Sequence, residues 1–204
     1  MVMAVTKRTR LSPEERRAQL IDLGARMLAE RPLEQVSVEE IADQAGVSRG
    51  LLFHYFASKR EFHLAIVRHT NVEMLAHTEP DLSLEPLEIL RSAITSYVDY
   101  VSENRNTYVS LLRGTASGDP EMRDEFERTR AIMAERITLQ LPKLGIEPGP
   151  RITLAVRGWI AFVEEATISW LKDPEIAREE LIDLIVTALP AVALSSEAAA
   201  LLGA

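Results

Sequence analysis

The sequence predicts an all-α fold: a three-helix N-terminal head containing a helix-turn-helix, joined through a long fourth helix to a C-terminal helical body, about nine helices in all. Three observations predict it. Capping signals led by serine recur before apolar residues spaced by three and four, at Ser12-Pro13-Glu14-Glu15, Ser37-Val38-Glu39-Glu40 and Ser58-Lys59-Arg60-Glu61. Only Gly46 and Val47 separate two short helical segments, a spacing that fits a tight turn between helices. No stretch shows the sustained alternation that a half-buried strand requires.

Taken in order, helix 1 starts at Ser12, with proline at the first helical position, and buries Ala18, Ile21, Ala25 and Leu28 until Arg31-Pro32 stops it. Helix 2 follows Ser37 with Ile41, Ala42 and Ala45 inward and ends at Gly46. Helix 3 begins at Ser48, with Leu52 and Phe56 on its inner side, and helix 4 runs from Ser58 to about His77. After the turn-rich Glu79 to Pro86 connection, Leu87, Ile94 and Val98 mark helix 5, and helix 6 covers Asn106 to Arg113. Asp119-Pro120 opens helix 7, expected to reach about Leu144, and helix 8 spans about Arg151 to Lys172. Asp173-Pro174 is expected to start helix 9, and the tail from Ala191 is alanine-rich. The division predicted is residues 1–57 for the arm and head, and 58–204 for the body.

Composition narrows the function. The chain carries a net charge of −8, but the charge is segregated. Up to Arg60 there are ten Lys/Arg against eight Asp/Glu, leaving 13 and 23 for the remainder. A mildly basic head on an acidic body fits a nucleic-acid reader with a separate sensing domain better than the average charge implies. The absence of cysteine excludes thiolate metal sites and cysteine nucleophiles. No apolar run is long enough to span a bilayer and no signal peptide is evident, so a cytoplasmic location without membrane contact is expected.

No catalytic constellation is found: there is no phosphate-cradling glycine loop, no Gly-x-Ser-x-Gly elbow and no His-Glu-x-x-His pair. His63, His69 and His77 do not share a helix face at metal-ligand spacing and, with His54, are expected to be solvated or at a pocket edge. Glu164 and Glu165 are adjacent, so they diverge by about 100° on a helix and cannot share a proton. Neither enzyme activity, metal nor cofactor is expected.

Residues 37–62, SVEEIADQAGVSRGLLFHYFASKREF, carry the functional signal. They combine Ile41-Ala42, the turn Ala45-Gly46-Val47-Ser48, Gly50-x-Leu52, the cluster Phe53-His54-Tyr55-Phe56 and Ser58-Lys59 in one order and spacing. This segment resembles the DNA-binding head of the TetR family of regulators. A helix entering a major groove about 12 Å wide needs small or base-reaching residues at its start, and Arg49, Gly50 and Leu51 stand there. Arg49 suits guanine or phosphate, Gly50 allows close approach, and Leu51 suits a thymine methyl. Ser48, Phe53, His54 and Tyr55 complete the candidate DNA-binding face, with Ser37 and Lys59 directed at phosphate. The basic arm Lys7-Arg8-Thr9-Arg10 is a further candidate for the backbone or a minor groove. Taken singly, each serine reads more readily as a cap than as a contact, and Phe53 and Phe56 read more readily as core. The family often has threonine and tyrosine where this chain has Leu51 and Phe53, so a regulator acting by protein contact, with a head that no longer binds DNA, stays open as an alternative.

The resemblance implies a homodimeric repressor of a palindromic double-stranded DNA operator, released by a small-molecule effector bound in the body. Tyr97, Tyr100, Arg113, Tyr108, Met122, Phe126, Met133 and Phe162 are candidate ligand contacts, and their mostly apolar character predicts an apolar effector. For the dimer interface, the stripe Ile152, Val156, Trp159, Val163 and Trp170 on helix 8 and Leu181, Ile185 and Leu189 on helix 9 are the candidates. Helix 4, shared by head and body, is the expected lever.

Overall fold

The structure is a computed structural model that describes residues 11–114 and 118–193. The basic arm at Lys7–Arg10, the residues between Gly114 and Gly118, and the tail beyond Ala193 lie outside the described residues. Among the described residues the chain forms nine α-helices and no strand. The head contains α1 (Pro13–Glu30), α2 (Val38–Ala45) and α3 (Arg49–Tyr55), and α4 (Lys59–His77) follows. The body adds α5 (Pro86–Glu103), α6 (Arg105–Arg113), α7 (Pro120–Thr138), α8 (Pro150–Lys172) and α9 (Arg178–Ala193).

Local signals set most helix starts. At α1 the capping box closes: the Ser12 hydroxyl accepts from the Glu15 amide at 3.1 Å, and the Glu15 carboxylate accepts from the Ser12 amide at 2.7 Å. The other two boxes close only halfway. Ser58 accepts from the Glu61 amide at 3.1 Å, but the Glu61 carboxylate reaches one residue further back, to the Ala57 amide at 2.6 Å. Ser37 accepts from the Glu40 amide at 3.3 Å, while the Glu40 carboxylate is taken by Arg31 at 2.9 Å.

Three boundaries and faces differ from expectation. α7 stops at Thr138, short of Leu144, because Pro142 lacks an amide donor and its ring would meet the Thr138 carbonyl. The chain continues there as a 3-10 turn over Leu141–Leu144. Asp173-Pro174 does not start α9, which begins at Arg178. The Trp170 indole donates to the Ile176 carbonyl at 2.8 Å, within the connecting segment, and the Glu180 carboxylate accepts from the Ala177 amide at 2.9 Å at the helix start. In α1, Ala18 is exposed, and Leu20, Leu23 and Met27 join Ile21 and Leu28 in the core.

Two cores result, and α4 enters both. The first gathers Leu20, Leu28, Ile41, Leu52 and Phe56 of the head with Phe62 and Ile66 of α4, and extends to Leu111, Met122 and Phe126 of the body. α1 approaches α4 closely at Gly24, where an added Cβ would lie 2.4 Å from Ile66 Cδ1. The second core joins Met74 of α4 to Tyr97, Val98 and Val101 of α5, Val156, Trp159 and Val163 of α8, and Leu181, Ile185 and Leu189 of α9.

α4 and α7 are cross-linked along their lengths. Arg60 forks onto Asp119 at 2.6 and 2.9 Å and reaches Glu121 at 2.8 Å, Arg68 meets Glu125 at 2.7 Å, and Arg136 donates to the Leu75 and Thr78 carbonyls at 2.9 and 3.1 Å. Residue numbers rise together on both helices, so the two run parallel. Arg60 holds the Asp119 carboxyl down to about 2. Two links also join α6 to α1 and the turn after it: Asn106 donates to the Ala29 carbonyl of α1 at 3.0 Å, and Ser110 Oγ accepts from the amide of Leu33, just past α1, at 3.1 Å.

His63 is not solvated or at a pocket edge, as its spacing had led us to expect. It is buried, and its Nε2 donates to the Val36 carbonyl at 3.3 Å, tying α4 to the segment before α2. Burial lowers its affinity for a proton, with Lys59 adding to the effect and the Val36 bond and Glu34 opposing it. The folded value lies below the unfolded one, so the unfolded chain binds the proton more readily. The neutral His63 therefore favours folding above the ordinary value of about 6.5 and that advantage is lost on acidification below it. Stability by chemical denaturation is expected to fall between about pH 7 and about pH 5, and to fall less steeply in His63→Gln.

Candidate functional site

The head presents its second and third helices as a helix-turn-helix. Gly46 takes the left-handed conformation, φ 65°, at the end of α2, and the Val47 amide bonds back to the Ala42 carbonyl at 2.9 Å. That geometry lets α3 start two residues later, capped by Ser48, whose hydroxyl accepts from the Leu51 amide at 3.1 Å. Leu52 is fully buried and Phe56 closes the inner side, so α3 is held by one face only.

Ser48, Arg49, Gly50, Leu51 and His54 are exposed on the other face, together with Lys59 at the start of α4. Phe53 and Tyr55 are half-buried and pack on the head core, and Ser37 is half-buried. A Cβ added to Gly50 would meet only Ser48 Oγ, at 3.8 Å, so nothing inside the chain demands glycine there. The space is open toward whatever approaches α3.

The charged groups of this face are already oriented. The Arg49 guanidinium lies 5.4 Å from the centre of the Phe53 ring and 3.1 Å from the Glu39 carboxylate. Ser37 donates to Glu39 at 3.2 Å, and Lys59 donates to the Glu34 carbonyl at 3.4 Å. Backbone amide bonding at the start of α2 lowers the Glu39 carboxyl below its usual range, with Ser37, Arg49 and Lys59 contributing and partial burial opposing. Glu39 is the residue that sequence reasoning missed. Its position ten residues before Arg49 carries no recognisable spacing, because the turn rather than a helix face brings the two together.

The body holds a cavity of about 170 Å³, partly open to solvent, between α4, α5, α6, α7, α8 and α9. Met74, Ile94, Met133, Val156, Ile160 and Leu189 are among its apolar walls. Of the eight candidate ligand contacts, Tyr97, Tyr100, Tyr108, Phe126 and Met133 line it. Three do not. Met122 is buried in the first core, Arg113 sits on the surface paired with Glu165, and Phe162 is 37% exposed on the outer side of α8. The Tyr97 and Tyr108 hydroxyls bond each other, and burial pushes both upward, so they remain protonated. The polar wall missed by sequence reasoning is Arg130 with Glu164, 2.7 Å apart on facing helices, plus Asn71, Arg136 and Gln140. Glu164 and Glu165 diverge as their adjacency requires, one to Arg130 and one to Arg113.

The stripe assigned to a dimer interface faces inward. Val156, Trp159, Val163, Leu181, Ile185 and Leu189 are buried within one chain, Ile152 and Trp170 are half-buried, and the Trp159 indole donates to the Ile185 carbonyl at 2.9 Å. α8 and α9 are thus sealed against each other. Their uncovered side carries Leu154, 73% exposed, and Phe162 on α8, with Leu184, 49% exposed, and Val192 on α9. In each helix the two are eight residues apart, which places them on one face. No helix among the described residues is long and apolar enough to cross a membrane.

Comparison with known proteins agrees with this architecture. The model of bacterial regulatory proteins of the tetR family matches residues 20–66, and the model of the tetracyclin repressor-like C-terminal domain matches residues 86–192. An uncharacterized HTH-type transcriptional regulator of Mycobacterium tuberculosis is 29% identical over 178 residues, covering 84% of this chain and 74% of that protein. The HTH-type transcriptional activator FasR of Mycolicibacterium smegmatis is 25% identical over 167 residues, covering 80% and 76%. The crystal structure of a tetR-family transcriptional regulator from Streptomyces coelicolor superposes with a TM-score of 0.78 at 29% identity, covering 95% of this chain and 89% of that one. With a DNA-binding head and a helical body each matched in its own segment, the chain belongs to the TetR family of transcriptional regulators.

Proposed function

We propose that this chain is a homodimeric repressor that binds a palindromic operator and is released when a small, mainly apolar molecule enters the body cavity. Residues 1–57 would read the DNA and residues 58–204 would sense and pair. One observation carries the reading: α4 packs Phe62 and Ile66 into the head core and lines the cavity with Thr70, Asn71 and Met74. A molecule that repositions the cavity half of α4 necessarily acts on the helix that starts beside the DNA-facing surface.

In a dimer, two copies of α3 would enter successive major grooves about 34 to 36 Å apart. Ser48, Arg49, Gly50, Leu51, His54 and Tyr55 would meet the groove, and Ser37 and Lys59 the phosphates. Phe53 would act from behind, stacking under Arg49. Repression is supported by the repressor-like description of the matching C-terminal model, while the activator FasR among the relatives makes the sign of regulation the first thing to measure. Pairing is assigned to the uncovered side of α8 and α9, since four large apolar side chains exposed there fit an isologous two-fold contact.

Ligand and DNA binding oppose each other reciprocally in this scheme, with a coupling of about 1 to 3 kcal/mol, or roughly 5- to 150-fold in operator affinity. Titrating decanol into a complex of the protein with an operator selected from random DNA should weaken the complex; constant or rising affinity would sink the release mechanism. Lys59→Ala should weaken binding to all DNA sequences and lower the dependence of log affinity on log salt by about 1. No change with that variant and with Arg49→Ala would favour the protein-contact alternative. Phe162→Glu should shift the sedimentation behaviour from dimer to monomer without loss of helicity.

A further inference from the structure

Resting on the reading of the cavity as the effector site, we propose that its ligand is uncharged, largely apolar and equipped with a hydroxyl-type oxygen, for which Asn71 and Gln140 each offer an open partner. Among the described residues the charged groups at the cavity wall are Arg130, Arg136 and Glu164. None is available to a ligand ion. Arg130 forks onto Glu164 at 2.7 and 2.9 Å and holds Glu127 at 2.7 Å. Arg136 spends its guanidinium on the Leu75 and Thr78 carbonyls at the end of α4 and on Glu79. Both cavity-wall guanidiniums are thus matched by carboxylates, Arg130 by Glu164 and Glu127 and Arg136 by Glu79, with Glu127 shared by Arg157 at 3.2 Å. A carboxylate or phosphate entering this apolar space would find no uncompensated cation, and burying such an ion unpaired is strongly disfavoured. A ligand cation fares little better, because Glu164 is already bonded.

Hydrogen-bonding capacity, by contrast, is left over. Asn71 Nδ2 on α4 and Gln140 Oε1 just past α7 are buried without a partner, and both residues line the cavity. Neighbouring polar groups are occupied: Tyr97 and Tyr108 with each other, Tyr100 with the Thr70 carbonyl at 3.3 Å, and Asn104 with the Tyr100 carbonyl at 2.9 Å. An unmade bond at a buried amide costs stability that a bound oxygen would restore. One orphan donates and the other accepts. A hydroxyl does both, and it satisfies either amide whichever way its oxygen and nitrogen are turned.

The test is calorimetric titration of the full-length protein with decanol, decanoate, decylammonium and decane, repeated on the double variant Asn71→Leu with Gln140→Leu, with melting temperatures for both proteins. Decanol is expected to bind at least about tenfold more tightly than either ion, equivalent to about 1.4 kcal/mol. The double variant is expected to lose decanol's advantage over decane and to melt no lower than the wild type, because the substitutions remove Asn71 Nδ2 and Gln140 Oε1, buried atoms that have no partner within the chain. Binding of decanoate or decylammonium as tight as that of decanol would overturn the inference, as would a double variant that keeps the decanol advantage or melts lower. If no probe binds, decane included, the reading of the cavity as an effector site fails as well.

Discussion

The constraint on which the molecule turns is the burial of α4 in two places at once. Phe62 and Ile66 close the head, and Met74 belongs to the body, so neither core is complete without the same helix. Fully burying a side chain such as Phe62 contributes about 1.5 to 3 kcal/mol, whereas an exposed ion pair contributes about 0 to 1. The apolar contacts therefore hold α4 in place. The arginine links to α7 accompany the register the packing sets, with Arg60 on Asp119 and Glu121, Arg68 on Glu125, and Arg136 at the Leu75 and Thr78 carbonyls.

From that arrangement follows the division of labour within the body. α7 is bound to α4 on one side and to α8 through Arg130 and Glu164 on the other, so α4, α7 and α8 stand together as walls of the cavity. α8 and α9 seal their apolar stripe against each other and leave a second, smaller apolar face uncovered. The polar atoms are distributed unevenly in the same way. Of the three buried side-chain atoms left without a partner among the described residues, those on Asn71 and Gln140 belong to residues lining the cavity, and the third is Thr167 Oγ1 on α8.

What the sequence revealed and what it concealed separate along the range of the interactions involved. Ser12-Pro13 with Glu15, Gly46 and Asp119-Pro120 act within one helical turn, and the helices start or stop where those residues say. The head motif was legible because its small residues, Gly46 and Gly50, answer to backbone geometry and open space rather than to distant partners. Asp173-Pro174 misled because a tryptophan three residues earlier, Trp170, bonds the Ile176 carbonyl and delays the next helix. Pro142 ends α7 early by the same short-range rule, since it lacks an amide donor and its ring would meet the Thr138 carbonyl. The stripe on α8 showed which side is apolar but not what would cover it, since Leu154 and Phe162 make the opposite side apolar too. Large apolar residues likewise cannot announce whether they line a void or fill a core, as Met122 and Phe126, four residues apart, divide between the first core alone and the cavity wall. Arg130 and Glu164 are 34 residues apart, and no local pattern links them.

The parallel pairing of α4 and α7 has a mechanical consequence. Sliding one helix along the other would break every cross-link together, whereas tilting about the Arg60 fork on Asp119 strains only the distant ones, at Arg136 and the end of α4. The fork is thus a fulcrum, set at the extremity nearest α3. A helix of 19 residues is about 28 Å long. If the proposed release works by such a tilt, ~5° about that point would carry the cavity end of α4 through roughly 2 Å, and the same angle, transmitted to the head through the α1 contact between Gly24 and Ile66, would turn the exposed face of α3 without deforming it.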